Sequence, residues 1–337
     1  MKLLCGMLWL LILTCTSEAQ QVLIPHIERY AAIRHTFSSR VGTMWVEVRM
    51  VAGGGAGAST SNQHFIPPSQ YGQRGEDTLF GLHPSTSGMF AMTPTQMDCY
   101  IGGTSPFRPG QPIVFRSLPA GVTGLAIDTP YYPINVEILS GPVTKFNLSA
   151  TPFSPPFGGQ SAMIAGPIGT NPSLEFHRVW FGVQGGGGGG IIGDQGTPLG
   201  SWGFDEPGPN GEIQGEAYQG GTGLGAFRIG PSGGVNFMGG NAGSSYQDFG
   251  IAGVNLTGAG GGGAPPPVGT TAPGEWSGTS GAAGGVADLT YAPVEGFIPW
   301  FQAGKGGLAQ PPGPGGYIAG NGGHGMIRFR MIPQQGQ

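Results

Sequence analysis

Charged residues are scarce in this chain. Only 9% of its 337 residues are Asp, Glu, Lys or Arg, against about 25% in an ordinary globular domain. The formal net charge is −4, and the 14 basic residues are scattered along the sequence without a cluster. The charge therefore gives no reason to expect a nucleic acid as a partner.

Cysteine is nearly absent as well. Two of the three cysteines, Cys5 and Cys15, lie in residues 1–19. That segment has one early lysine, an apolar core from Leu3 to Leu13, and small residues at the −3 and −1 positions of a cleavage site. This pattern is typical of a secretory signal peptide, so we expect an exported protein. Cleavage would leave Cys99 alone, and an intrachain disulfide would then be impossible.

The chain has almost no long stretch without Gly or Pro. It contains 69 glycines and 31 prolines, which in a helix interior cost about 1 and 3 kcal/mol each. Only Ile24 to His35 could hold a short helix, after Pro25. The sequence therefore predicts a mainly β fold with extensive irregular, glycine-rich segments of polyglycine II type and little or no helix.

Hydrophobic residues make up 38% of the chain, enough to form a core. Several short runs alternate apolar and polar residues with the period of two that is typical of half-buried strands. Three apolar faces follow from this alternation: Met44, Val46, Val48 and Met50; Ile134, Val136 and Ile138; and Ile327, Phe329 and Met331. The run from Phe176 to Val183 has the character of a fully buried strand.

The glycines concentrate beside these strands, in Ala52–Ala58, Gly185–Gly193, Gly258–Gly263 and Gly313–Gly325. A single flexible linker would be expected once, at a domain boundary, and a collagen helix would need a strict Gly-X-Y period. Extended glycine helices without internal hydrogen bonds must find partners in neighbouring segments. We therefore expect the glycine runs to pack together as a bundle.

The sequence predicts four parts of the chain. They are a signal peptide at 1–19, an N-terminal segment at 20–43, a β domain with a glycine-rich start and a Pro-rich insertion at 44–172, and a glycine-rich β and polyglycine domain at 173–337.

No recognisable pattern indicates an enzyme, a cofactor or a metal. The six histidines are never paired at metal-binding spacing, and no G-x-S-x-G occurs. Cys99 follows Asp98, but no base for it is recognisable. The six-glycine run that begins at Gly185 is not followed by a helix, as a dinucleotide site requires. Two glycosylation sequons, at Asn147 and Asn255, have meaning only in a eukaryotic or viral context.

The aromatic residues in glycine-rich surroundings are either core residues or contacts at loop tips, where Tyr and Trp offer rigid area at low entropic cost. The candidate receptor-binding residues are Trp202, Tyr246, Phe249, Trp276, Trp300 and Phe301.

Four stretches resemble the glycine-rich domains of bacteriophage tail fibres and adhesins: MWVEVRMVAGGGAGAS, GEDTLFG at Gly75–Gly81, LPAGVTGLAI at Leu118–Ile127, and the closing GGYIAGNGGHGMIRFRM. The resemblance implies a polyglycine bundle whose connecting loops contact the host surface. We therefore expect a non-enzymatic virion surface or tail-fibre-like adhesin. Its partners would be a host surface glycan or outer-membrane protein, and further copies of itself in a homo-oligomer. The alternative is a secreted structural protein that self-assembles into filaments or matrix.

Overall fold

The structure is a computed structural model of the chain. It describes residues 26–61, 68–92, 97–103, 107, 111–139, 141, 143–150, 171–186, 188–189, 214–218, 245–246, 249–250, 252–253, 256–264, 278, 280–292 and 297–333. The predicted signal peptide lies outside the described residues.

The fold is mainly β, as the sequence predicts. The only helix in the described residues is a single 3-10 turn, Pro68–Gln70. The strands are β1 His26–Ala31, β2 Arg34–Thr36, β3 Thr43–Val51, β4 Thr78–Met92, β5 Met97–Gly102, β6 Ile113–Val114, β7 Pro130–Leu139, β8 Val143–Ser149, β9 Ser173–Val183, β10 Gln214–Tyr218, β11 Ser245–Tyr246, β12 Phe249–Gly250, β13 Val286–Tyr291, β14 Ile298–Gln302 and β15 Met326–Pro333.

The one stretch that could hold a short helix, Ile24–His35, forms strands in its described residues. They belong to β1 and β2, and every residue of β1 lies opposite a residue of β15 in antiparallel register. A neighbouring strand satisfies backbone groups that a short helix, marginal on its own, would leave to water.

The first sheet has the order β1-β15-β3-β13-β10 and is antiparallel throughout. Its central strand β3 buries Val46, Val48 and Met50, which confirms the predicted face, while Met44 at the start of the strand is exposed. Strand β15 buries its predicted apolar residues in the same way. One face of the first sheet therefore lies in the core, and the other is at least partly exposed except where Val51, Val286 and Met326 are buried against Leu256.

The second sheet closes on itself. Its order is β2-β14-β4-β5-β8-β7-β6-β9, and β4 also pairs with β9, so six of its strands form a barrel. The barrel is filled by aromatic and aliphatic side chains. They are Phe90, Cys99, Ile101, Ile113, Phe115, Tyr131, Phe146, Leu148, Leu174 and Phe176.

Strand β7 is present where the sequence predicts it, but its predicted apolar face is not buried. Val136 is 43% and Ile138 is 61% exposed. The pairing of β7 with β8 shifts register between Ile134 and Glu137, and Asn135 within this shift has a φ of 52°. Such a bulge resets the alternation of the strand, so the sequence period no longer gives the inward face.

The halves of β4 and β9 that leave the barrel form a sandwich with the first sheet. Thr78–Leu82 pairs with Val179–Val183 on one side and with β14 on the other. Phe80, Trp180 and Phe301 from this side contact Phe329 and neighbouring residues of the first sheet in one buried cluster. The buried strand predicted at Phe176–Val183 is confirmed.

The glycine run after β3, residues 52–60, is buried although it belongs to no strand or helix. Successive amides donate in turn to carbonyl oxygens of three different segments, with N···O distances of 2.8–3.0 Å. Gly53, Ala56 and Ser59 donate to residues 70–76, Gly54, Gly57 and Thr60 to residues 317–323, and Ala52 and Gly55 to residues 282 and 285. A period of three is that of the polyproline II type of helix, which has no internal hydrogen bonds.

Six segments surround this central segment. Three accept its amides: the β4 segment (70–76), the β13 segment (278 and 280–285) and the β15 segment (317–325). Three donate to its carbonyl oxygens: the β9 segment (184–186 and 188–189), the segment 258–264 and the β14 segment (303–308). Each outer segment also bonds to the next, so the ring is closed. We call these seven segments the bundle. Their hydrogen bonds show that the glycine runs pack against one another, as the sequence predicts.

The direction of each segment gives the bundle two different ends. Segments that follow β3, β9 and β14 run away from the sandwich, and those that precede β4, β13 and β15 run back to it. The near end therefore adjoins the strands. Thr60, Leu308 and Tyr317 lie at the opposite, far end.

The predicted domain boundary between residues 172 and 173 does not separate two units. Strand β9 after the boundary closes the barrel with β4 and β6 before it. The central segment, from the first predicted domain, is enclosed by segments of the second.

Close approach explains why the bundle needs glycine. A methyl group at Gly54 would overlap the carbonyl of Ala259, and one at Gly57 would overlap the carbonyl of Gly262. A methyl group at Gly322 would in turn overlap the carbonyl of Gly54. The Cα hydrogens at these places point at carbonyl oxygens, which supplies weak C–H···O contacts.

Candidate functional site at the far end of the bundle

The connection between the β14 and β15 segments forms the described part of the far end. Residues 309–316, which we call the tip loop, have the sequence AQPPGPGG, and Pro311, Pro312 and Pro314 are exposed. Leu308 and Ile318 flank the loop and are 55% and 46% exposed. Proline fixes φ, so the tip loop presents an apolar surface with little conformational freedom to lose on binding.

Hydroxyl side chains at the end of the central segment hold the tip loop. The Ser59 hydroxyl donates to the carbonyl of Gln310 and accepts the amide of Ala319 at 3.1 Å. The Thr60 hydroxyl accepts the amide of Tyr317 at 3.0 Å. The central segment thus ends in Ser59 and Thr60. At this end, side-chain hydrogen bonds to the tip loop take the place of the close backbone contacts between glycine segments.

The tip loop is absent from the site residues predicted from the sequence, because that prediction rested on aromatic side chains. A usable signal is the Pro-rich stretch enclosed by two glycine runs near the C-terminus. Proline cannot donate to a neighbouring segment, so a Pro-rich stretch must interrupt the bundle.

The prediction that Trp300 and Phe301 contact a receptor is wrong. They lie on β14 and are 1% and 0% exposed. The ring of Phe301 packs at 4.9 Å from that of Tyr30 and at 5.4 Å from that of Phe329. Bulky side chains on a strand between two other strands, β2 and β4, are core residues and not loop tips.

The other four predicted site residues have different places. Tyr246 and Phe249 lie opposite each other in the two-residue strands β11 and β12. Trp202 and Trp276 lie outside the described residues. The described residues that flank the Trp276 segment are Ala264 and Gly278, and the Gly278 amide donates to the Ala264 carbonyl at 3.1 Å. Both residues lie near the far end, because the Ala264 amide donates to the carbonyl of Ala58 in the central segment.

A buried polar network joins the near end of the bundle to the barrel. Asp77 is 4% exposed and accepts the Tyr132 hydroxyl at 2.6 Å, the Gly185 amide at 2.9 Å and the guanidinium of Arg74. Burial, and then the charge of Asp77, raise the pKa of Tyr132 well above its usual value. Tyr132 is therefore a neutral donor, and it fixes the bundle relative to β7.

Cys99 is not placed as a nucleophile in the described part of the chain. Cys99 is fully buried, and burial raises the pKa of its thiol, with a smaller contribution from Asp98. The thiolate, which is the nucleophile, is thus disfavoured. The described residues contain no group of three His, Cys, Asp or Glu side chains that could hold a metal ion. No helix in this part of the chain is long and apolar enough to cross a bilayer.

Asn147, the first sequon residue, is 3% exposed, and its side-chain nitrogen donates to Asp98 at 2.8 Å. A glycan on this nitrogen would have to displace the bond and the neighbouring chain. Asn255 of the second sequon lies outside the described residues.

The chain matches no protein-family profile, and neither a curated protein sequence nor a solved structure is significantly similar to it.

Proposed function

We propose that this protein is a non-enzymatic adhesin of a virion surface or tail-fibre type, which binds a host cell-surface receptor through the far end of the bundle. The observation that carries the proposal is the separation of roles along the molecule. The bundle and sandwich bury their glycines and aromatics, whereas the far end exposes Leu308, Ile318 and three prolines of the tip loop. Exposed apolar groups of this kind on a fixed base are typical of binding surfaces.

The bundle suits such a role because it makes the tip rigid without a large core. Its backbone groups bond to one another around the ring, and the tip loop is tied to Ser59 and Thr60. A preorganised loop loses little entropy on binding. A homo-oligomer would present several tips, and their combined avidity would exceed the affinity of one tip.

The receptor is a surface glycan or an outer-membrane protein in this proposal. Trp276 is a sequence-based candidate for this binding surface, and the described residues that flank its segment, Ala264 and Gly278, support the proposal because they bond to each other near the far end. Trp202, Tyr246 and Phe249 remain sequence-based candidates for the same surface. Export, directed by residues 1–19, would bring the protein to the virion or the cell exterior.

The test compares two double variants that remove similar amounts of exposed apolar surface. Leu308→Ser with Ile318→Ser alters the far end, and Val136→Ser with Ile138→Ser alters the exposed end of β7, where the residues are 43% and 61% exposed. Labelled protein is titrated onto a panel of bacterial strains. We expect the first variant to reduce attachment by about tenfold or more, and the second to leave it within about twofold.

Equal attachment by both variants would contradict the assignment of the tip.

Electron microscopy of the purified protein addresses the alternative of a matrix protein. Discrete particles support an adhesin, whereas polymers that form without any partner would contradict it.

A further inference from the structure

The arginines that are scattered in the sequence converge in the structure, which corrects the expectation of unclustered basic residues. Arg29 on β1, Arg328 on β15 and Arg49 on β3 lie directly opposite one another across three adjacent strands. Arg330 lies two residues along β15 from Arg328, on the same outer face of the first sheet. Four of the chain's 14 basic residues thus share one face. We call these four residues the arginine face.

Two of these arginines form ion pairs with acidic side chains. Arg49 makes two bonds of 2.6 Å to the Asp288 carboxylate, and Arg330 donates to Glu47 at 3.0 Å. Within the described ranges, Arg29 and Arg328 form no ion pair with an acidic side chain. Adjacent strands are about 5 Å apart, so the two side chains leave the backbone side by side on the same face of the sheet.

This arrangement has an electrostatic cost. Like charges directly opposite each other in a sheet destabilise the sheet. Only 9% of the residues of this chain are charged, yet two arginines occupy opposite positions here. Burial, followed by the charges of Arg49 and Arg29, lowers the pKa of the Arg328 guanidinium, and the smaller attraction of Asp288 offsets this only in part. An anion between Arg29 and Arg328 would relieve the repulsion and bond to both, since guanidinium groups bind oxyanions in a bidentate manner.

We propose that the arginine face binds an anionic polysaccharide through its sulfate or phosphate groups. Arg29 and Arg328 would share one oxyanion, and Arg49 and Arg330 would add long-range attraction. The arginines span three strands, so they could follow a chain with several charges.

A polysaccharide fits this face better than an acidic protein does. The cores of protein interfaces are depleted of Asp and Glu, so an acidic protein would bring few carboxylates to the arginines, whereas a sulfated or phosphorylated polysaccharide carries oxyanions along its whole length. The apolar residues of this face are at the margin, where Ile27 is exposed and Trp45 is partly exposed on the same side of β3 as Arg49. An aromatic side chain beside charged groups offers a flat surface for the apolar side of a sugar ring.

The site is separate from the tip loop. The arginine face lies on the sheet at the near side of the bundle, whereas the proposed receptor surface lies at the far end. The Leu308 and Ile318 double variant should therefore retain polysaccharide binding, and failure of one proposal does not entail failure of the other.

The test uses three polymers as probes: dextran sulfate, unmodified dextran and poly-L-glutamate. We expect dextran sulfate to bind in a salt-sensitive manner, dextran not to bind, and polyglutamate to bind at least about tenfold more weakly. The double variant Arg29→Gln with Arg328→Gln should lower the affinity for dextran sulfate by about tenfold or more. Arg116→Gln with Lys305→Gln is the control, because it removes two positive charges elsewhere.

Three outcomes would overturn the proposal. Equal losses in the two double variants would show attraction to net charge alone. Polyglutamate that binds as tightly as dextran sulfate would indicate an acidic protein as the partner. Unchanged binding in Arg29→Gln, Arg328→Gln would exclude this face. Arg29→Gln alone, on the exposed edge strand, keeps the test valid if the double variant fails to fold, and its affinity should fall at least about threefold.

Discussion

The amide of Gly54 donates a hydrogen bond of 2.9 Å to the carbonyl oxygen of Gly323, so residues from the two ends of the sequence are neighbours in the middle of the bundle. Gly54 in turn accepts the amide of Gly307 at 2.8 Å. Each segment of the bundle uses partners that are distant in sequence. Fixing glycine is entropically costly, so we expect the bundle to form cooperatively.

Replacing Gly54 by alanine should destabilise the protein strongly. The added methyl group would overlap the backbone of Ala259, which cannot move without breaking its own bonds. Overpacking in a rigid interior costs about 3 kcal/mol or more in such cases. Gly102→Ala on β5 is the matched control, because no atom lies within 4 Å of its added methyl group. Thermal and urea unfolding compare the two variants, and an equal effect would contradict close packing at Gly54.

Replacing Tyr132 by phenylalanine should weaken the junction between bundle and barrel. The variant removes a 2.6 Å bond to buried Asp77, which we expect to cost about 1–3 kcal/mol of unfolding free energy. Tyr100→Phe is the control, because the hydrogen bond from its hydroxyl to Asp98 is long, at 3.4 Å, and partly exposed to solvent. It should cost less than about 0.5 kcal/mol. Equal stability of both variants would argue that the Asp77 network does not hold the junction.

The protein should lose stability at alkaline pH. Burial raises the pKa of Cys99, Tyr132 and Tyr291 in the folded state, so these groups keep their protons when the unfolded chain has released them. Their stabilisation is complete below the unfolded pKa values, about 8.5 for Cys and 10 for Tyr, and is lost as the pH rises above them.

Cys99→Ala tests this dependence. Between the unfolded and folded pKa values of the thiol, the wild-type unfolding free energy should fall more steeply than that of the variant, by up to about 1.4 kcal/mol per pH unit. Urea unfolding at a series of pH values from about 7 to 10 gives both slopes. Identical slopes would show that Cys99 is not buried as described.

The folded protein should carry no glycan at Asn147. Its side-chain nitrogen is buried against Asp98, so a modified chain could not form the barrel. Peptide mass mapping of protein secreted from a glycosylating eukaryotic host measures the occupancy. A folded, monodisperse fraction with a glycan at Asn147 would refute this placement.

Local patterns predicted the strands well and the connections between them poorly. The alternation at Val46, Val48 and Met50 reflects a simple sheet face, so the burial follows from the sequence. The alternation at Val136 and Ile138 does not, because the register shift at Asn135 depends on pairing with β8. Closure of the barrel by β4 and β9 is likewise a tertiary property without a local signal.

The sequence indicates the scaffold of the candidate site but not the tip loop. The position of glycine runs beside strands indicated a packed scaffold, and the structure shows how that scaffold leaves one end free for the tip loop. Trp300 and Phe301 were assigned to a surface because their aromatic type is shared by core and interface residues. The arginine face was invisible, because Arg29 and Arg328 are brought together only by the pairing of the two ends of the chain.

Hydrogen exchange of the glycine amides in the central segment tests the central claim most directly, namely that the glycine runs are a packed scaffold. Gly53, Gly54, Gly55 and Gly57 all donate to neighbouring segments and are buried. We predict that their amides exchange as slowly as those of the core strand β3, through global unfolding. If these amides exchange at the rate of an unfolded chain while β3 stays protected, the bundle is contradicted, and so is the rigid support that it gives the tip loop.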